Sequence, residues 1–128
     1  MSDLQVIKQL EQKLGVKLKH NIDHRVLRSY VLNEHDHVIE LGLYGCGITD
    51  MQIIIDLLLQ LRSLQVLNLS NNQLTDVSPL NDLTSLKELN LAHNQLTDVS
   101  PLSCLTSLQK LHLAVNQLTD VSPLSGLT

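Results

Sequence analysis

The sequence predicts an α/β solenoid: a right-handed horseshoe with a parallel concave β-sheet, short 3₁₀ or helical convex segments, and an α-helical N-terminal cap. Three observations carry that prediction. The nine residues NQLTDVSPL recur unchanged at 72–80, 94–102 and 116–124, with copies 22 residues apart. Leucine falls at the same places in every unit. The chain is also 43% hydrophobic but only 2% aromatic, without Trp or Phe, so its core must be stacked aliphatic side chains. Self-similarity at such a period marks a quasi-one-dimensional array in which each unit packs only on its neighbours.

The units read LQVLNLSNNQLTDVSPLNDLTS (64–85), LKELNLAHNQLTDVSPLSCLTS (86–107) and LQKLHLAVNQLTDVSPLSGLT (108–128). Their frame is L-x-x-L-x-L-x-x-N-x-L. Leu67 and Leu69 alternate with Asn68 and Ser70, the period of two expected of a short strand with one buried face. Leu74, Val77, Leu80 and Leu83 bring the chain back onto the same core. Asn72, Asn94 and Asn116 end the strands, where an amide can satisfy backbone groups of neighbouring turns that would otherwise be buried unpaired. Asp76, Asp98 and Asp120 precede V-S-P-L, so a short acceptor caps a tight turn that Ser-Pro opens.

A degenerate unit, 38–63, comes first. In VIELGLYGCGITD (38–50), Val38, Leu41, Leu43, Cys46 and Ile48 fill the frame positions of Leu64, Leu67, Leu69, Asn72 and Leu74. Cys46 stands in for the ladder Asn as a small, weak donor and is expected to point inward. Residues 51–62 predict a true helix with Asp50 as its N-cap and Ile54, Leu57, Leu58 and Leu61 as its apolar face.

Residues 1–37 do not repeat and predict a helical and hairpin cap. Leu4, Ile7, Leu10 and Leu14 fit one helical stripe that Gly15 ends. A second short helix is expected over residues 23–29. Residues 30–32 and 38–43, joined by the polar NEHDH, predict a hairpin. A cap is required because a bare solenoid end exposes a strand edge and an open core. At the other end, the strand at 108–113 is expected to be an open edge with Leu111 and Leu113 poorly covered, as in a fragment or a chain that ends against a partner.

Composition limits the function. Residues 38–128 carry Arg62, Lys87 and Lys110 against eight acidic residues, an unsuitable surface for tracking phosphates, so no nucleic-acid partner is expected. The first 15 residues are polar and periodic, and the most apolar run, 51–61, is too short for a membrane span. A cytoplasmic protein with no membrane partner is the expectation. Cys46 and Cys104 sit at non-equivalent places in the repeat and are not expected to pair.

Four sets of residues have types or spacings that chemistry could use. His35 and His37, and His20 and His24, have metal-compatible spacings but no further ligands implied by sequence. Gly42, Gly45 and Gly47 lack the Lys-Ser/Thr of a phosphate loop. Cys46 has no base and orienter beside it. The expectation is therefore no catalytic residue, no metal and no cofactor. There remain the outward positions of the concave face: Glu40, Tyr44, Val66, Asn68, Ser70, Asn71, Glu88, Asn90, His93, Lys110, His112 and Val115. Neighbouring strands lie ~4.8 Å apart, so Glu88 and Lys110 can pair across the surface, whereas His93 and His112 are out of register. Because Asn90 and His112 point outward, their replacement by Ala should leave folding nearly intact, unlike Leu89→Ala or Leu111→Ala. These positions predict a docking surface for another protein.

The repeats resemble the 22-residue leucine-rich repeats of bacterial proteins such as the internalins, whose units share a D-I-x-P-L-x-x-L-T ending. That likeness covers residues 38–128 and implies a binding solenoid. MSDLQVIKQLEQKLG (1–15) with YVLNEHDHVIELGLYGCGITD (30–50) is similar to the start of bacterial Roco proteins, in which a leucine-rich repeat array precedes a Ras-like G domain and a dimerising COR domain. This resemblance implies either a protein-binding module or a regulatory arm that packs on its own G domain. Any GTPase residues would lie outside these 128 residues, which contain no phosphate loop.

Overall fold

A computed structural model describes residues 2–20 and 28–118. Helix α1 (Asp3–Leu14) is followed by strands β1 (Lys19–His20), β2 (Arg28–Leu32) and β3 (Val38–Leu43). A 3₁₀ turn at Met51–Ile53 and helix α2 (Ile55–Leu59) lead to β4 (Val66–Asn68). Thereafter strands β5 (Glu88–Asn90) and β6 (Lys110–His112) alternate with 3₁₀ turns at Ser78–Asp82 and Ser100–Cys104. All six strands form one sheet in the order β1-β2-β3-β4-β5-β6. From β3 to β6 every pairing is parallel, while β2 and β3 form the antiparallel hairpin expected around NEHDH. No helix among the described residues is long and apolar enough to cross a membrane.

The core is a stack of leucine shelves. In the unit that starts at Leu64, Leu67, Leu69, Leu74, Val77, Leu80 and Leu83 are all buried; Leu86, Leu89, Leu91, Leu96, Val99, Leu102 and Leu105 repeat the shelf one turn later. The strand segments bury alternate residues, and the returning half adds apolar positions at three-residue spacing. That spacing fits a 3₁₀ helix, where residues three apart eclipse. Asp76 and Asp98 accept the amides of Ser78 and Ser100 at 2.9 Å, as a capping acceptor should, and Pro79 and Pro101 occupy the first turn.

The asparagine ladder forms between turns. Asn72 Oδ1 accepts from the amides of Cys46 and Ile48, both at 3.0 Å, and Nδ2 donates to the carbonyls of Leu43 and Leu69. Asn94 accepts from Leu74 and donates to Leu69 and Leu91; Asn116 accepts from Leu96 and donates to Leu91 and Leu113. Each amide thus ties its own turn to the one before.

At the N-terminus, Ser2 and Gln5 make a reciprocal capping box, and Gly15 closes α1 with a left-handed φ of 65°. Asp3 Oδ2 accepts from the Val38 amide at 2.9 Å, Glu11 Oε2 from Leu18, and Lys13 Nζ donates to the Ile53 carbonyl.

The structure corrects several details. With Asp3, Glu11 and Lys13 bonded to the rest of the chain, α1 buries Val6, Ile7 and Leu10, while Leu4 is exposed. The helix expected over 51–62 is broken at Ile54 (φ −124°), within a run of three isoleucines whose branched Cβ atoms disfavour helix. Asp50 still caps the first piece by accepting from Gln52, and Ile54, Leu57, Leu58 and Leu61 still face the core. Of the second helix expected over 23–29, Arg28 and Ser29 belong to β2; the remainder, along with His24 and Asp120, lies outside the described residues. The two-residue strand β1, parallel to β2, was not anticipated.

Candidate functional site

The parallel register lays the outward residues in rows across the concave face. Glu40, Val66, Glu88 and Lys110 form one row; Gly42, Asn68, Asn90 and His112 form the next. Because Gly42 has no side chain, the second row has a gap at its β3 end. Glu40, Val66, Asn68, Glu88 and Asn90 surround a depression there of about 200 Å³, with Ser29 of β2 on its far side. Ser29 sits opposite Gly42 in the hairpin, so two small residues in facing positions open this space.

The charges on this face interact diagonally. Glu88 Oε1 lies 3.5 Å from His112 Nε2, one strand over and two residues along, instead of making the expected ion pair with Lys110 directly opposite. Both geometries are available on one face of a sheet.

The Asn68 and Asn90 side chains project outward, yet each has a structural duty. Asn68 Oδ1 accepts from the Ser70 amide at 2.9 Å, and Asn90 Oδ1 from the Ala92 amide at 3.0 Å. Asn90 therefore also supports the strand exit through this one bond. Ser70 also departs from its expected outward position: it is buried, and its hydroxyl donates to Asn68 Oδ1 at 2.6 Å.

Beyond the strands, Gly45, Asn71, His93 and Val115 occupy equivalent left-handed positions with φ of 61°, 57°, 57° and 56°. Here the chain turns outward, so these side chains stand at the rim of the face. Asn tolerates this conformation, whereas a β-branched residue does not, and Val115 is 65% exposed as well as strained. Tyr44 accepts from Asn71 Nδ2 at 2.9 Å, linking adjacent turns.

Arg28 braces the same corner, donating from Nε to the Tyr44 carbonyl and from Nη2 to the Gly45 carbonyl. Sequence reasoning missed both Arg28 and Ser29 because they lie outside the repeat frame. Cys46 packs partly against the core, with Sγ 3.7 Å from the Tyr44 carbonyl. Burial pushes its thiol pKa up, partly offset by the Arg28 charge, which suits a packing group better than a nucleophile. His20 stacks on Tyr30 at 5.1 Å, and the His35 and His37 rings lie 6.4 Å apart. Among the described residues, no group of three or more His, Cys, Asp or Glu is arranged to hold a metal ion.

A parallel concave sheet backed by 3₁₀ turns, with an asparagine ladder along its edge, defines a leucine-rich repeat solenoid. The profile of the family described as Leucine Rich repeats (2 copies) matches residues 36–82, 62–104 and 84–126. The chain belongs to the leucine-rich repeat family.

Among solved structures, an internalin (inlF) from Listeria monocytogenes is 38% identical, with a TM-score of 0.62, over 69% of this chain and 25% of that one. The leucine-rich repeat ectodomain of the receptor kinase SOBIR1 from Arabidopsis thaliana is 25% identical, with a TM-score of 0.64, over 98% of this chain and 73% of that one. The leucine-rich repeat domain of APL1B shares the fold, with a TM-score of 0.58 at 18% identity, over 97% of this chain and 38% of that one. The match therefore spans about a quarter of the internalin's length. No match is found among curated proteins.

Proposed function

We propose that this chain is a non-catalytic protein-interaction module, with residues 1–37 as its cap and 38–128 as its repeats, that docks a cytoplasmic partner on its concave face. One observation carries this reading. From Leu64 onward successive turns hold identical shelf and ladder residues, while the outward row changes from Val66 to Glu88 to Lys110, after Glu40 in the degenerate first turn, across an evenly registered sheet. Variation of the outward strand residues on a constant scaffold is how a solenoid encodes a partner. Asn68, Asn90 and His112 extend the contact row, and Tyr44, Asn71, His93 and Val115 form its rim; Ser70 contributes by holding Asn68. The free thiols of Cys46 and Cys104 suit a reducing compartment.

Photo-crosslinking tests the reading. A benzophenone side chain placed at Val66 in source cells should give an adduct with a discrete protein, and one at Asp82 on the convex side should not. Adducts from Asp82 alone would overturn it. A narrower reading, a regulatory arm of a Roco-type GTPase, is supported by the likeness of residues 1–15 and 30–50 to that family. Under it, the Val66 crosslink should map to a G domain in the same polypeptide.

A further inference from the structure

We propose that the depression on the concave sheet is a subsite for the side-chain carboxamide of a glutamine or asparagine on the docked protein. This rests on the concave face being the docking surface and adds the chemistry of what docks there.

Two oriented donors line the depression. Asn68 and Asn90 are register partners in β4 and β5, and both border it. The Asn68 oxygen accepts from the Ser70 amide and hydroxyl, and the Asn90 oxygen from the Ala92 amide. Those bonds fix the rotation of each side chain, because a backbone N–H must meet the oxygen of a carboxamide and not its NH2. Each Nδ2 is left as the outward donor, and among the described residues neither has a hydrogen-bond partner. The same bond recurs in successive turns, so the two Nδ2 atoms share the strand spacing of ~4.8 Å. One oxygen placed ~2.9 Å from both would receive them at an angle of about 110°, close to the spread of the two lone pairs of a carbonyl.

The surrounding charges select a neutral group. Glu40 and Glu88 border the depression, and Glu88 already contacts His112 at 3.5 Å. Lys19, the register partner of Ser29, and Lys110, the register partner of Glu88, offset the two glutamates on the same face. A cationic side chain has no acceptor for the asparagine donors, and a carboxylate meets the glutamates at the rim. A carboxamide is neutral and carries both functions. Its oxygen takes the two Nδ2 donors while its NH2 reaches the Glu88 carboxylate, which has about four acceptor sites and turns one oxygen to His112. A backbone carbonyl would serve the asparagines but bring no donor for Glu88. Ser29 and Gly42, small and opposite each other, leave the room for a side chain to enter.

The test is an NMR titration of the full chain that follows the side-chain NH2 signals of Asn68 and Asn90. The probes are acetylated, amidated pentapeptides GGXGG, with X as glutamine, glutamate, methionine or lysine. A single side chain offers millimolar affinity, so the series runs to ~50 mM. The glutamine peptide should shift both NH2 signals in a saturable way, and the other three should leave them in place. Asn90→Asp keeps the oxygen that holds the Ala92 amide but replaces the donor with an acceptor, so it should weaken the glutamine peptide about fivefold. Asn68→Asp with Asn90→Asp should weaken it at least about tenfold, with the remaining amide spectrum reporting an intact fold. No saturable shift from the glutamine peptide, equal shifts from methionine or glutamate, or an affinity unchanged in both variants would overturn the carboxamide subsite. The Val66 crosslink in cells reports on the docking surface separately. An adduct alongside a failed titration removes the subsite and leaves the docking reading standing, whereas failure of both removes the two together.

Discussion

At the scale of single residues, identical letters divide by the number of backbone groups they serve. Asn94 is buried and satisfies Leu74, Leu69 and Leu91 at once. Asn90, four residues earlier, serves only the Ala92 amide from the surface. Truncating the first strands several buried groups, whereas truncating the second strands one that water can reach. Asn94→Ala should therefore cost about 3 kcal/mol and Asn90→Ala about 1 kcal/mol. Urea denaturation of both variants checks this, and equal midpoints would mean that the ladder does not carry the load between turns. His93 and Val115 show the limit of reading by letter. They share a position that asks for a left-handed backbone, which Gly45 and Asn71 meet readily and valine meets at about 1–2 kcal/mol.

At the scale of elements, the convex turns depend on a charge. Hydrogen bonds from the Ser100 amide and side chain hold the Asp98 carboxyl below its usual pKa. A carboxyl whose folded pKa is depressed contributes stability above its unfolded pKa and loses it as pH falls through the folded value. Asp98→Asn should therefore be less stable than the parent at neutral pH, and the gap should close on acidification through and below the ordinary carboxylate range. Melting curves by circular dichroism at the two extremes measure it; a gap independent of pH would show that the charge is immaterial. Elements inside the repeat were legible because their letters recur with a fixed period: strands, ladder, capping aspartates and 3₁₀ turns all follow from it. Outside the period, pattern alone misled. Leu4 fits a helical stripe as well as Val6 does, and which of them is buried depends on tertiary contacts, among them the bonds of Asp3, Glu11 and Lys13 to Val38, Leu18 and Ile53. Ile54 obeys the spacing of the expected helical face, yet it lies in a run of branched residues that disfavours helix, and the helix is interrupted there. The depression on the concave face depends on Ser29 meeting Gly42 across a hairpin, a pairing that no local signal specifies.

At the scale of the whole molecule, stability is a sum over neighbouring shelves, so a leucine counts according to the turns that flank it. Leu89 and Leu111 are equivalent letters in successive units and sit opposite each other in β5 and β6. Leu89 is fully enclosed, with β4 on one side and β6 on the other, whereas Leu111 lies on the outermost described strand and is only partly buried. The repeat frame alone assigns both the same role; the stack does not. Leu89→Ala should cost roughly 2–5 kcal/mol, because the cavity lies between two turns that cannot collapse independently. Leu111→Ala removes less buried surface and leaves a site open to relaxation, so its cost should be about half as large. Equilibrium unfolding in urea, followed by circular dichroism, compares the two directly. Similar losses would mean that Leu111 is covered as completely as Leu89 in solution. A larger loss at Leu111 would overturn the nearest-neighbour account of this solenoid.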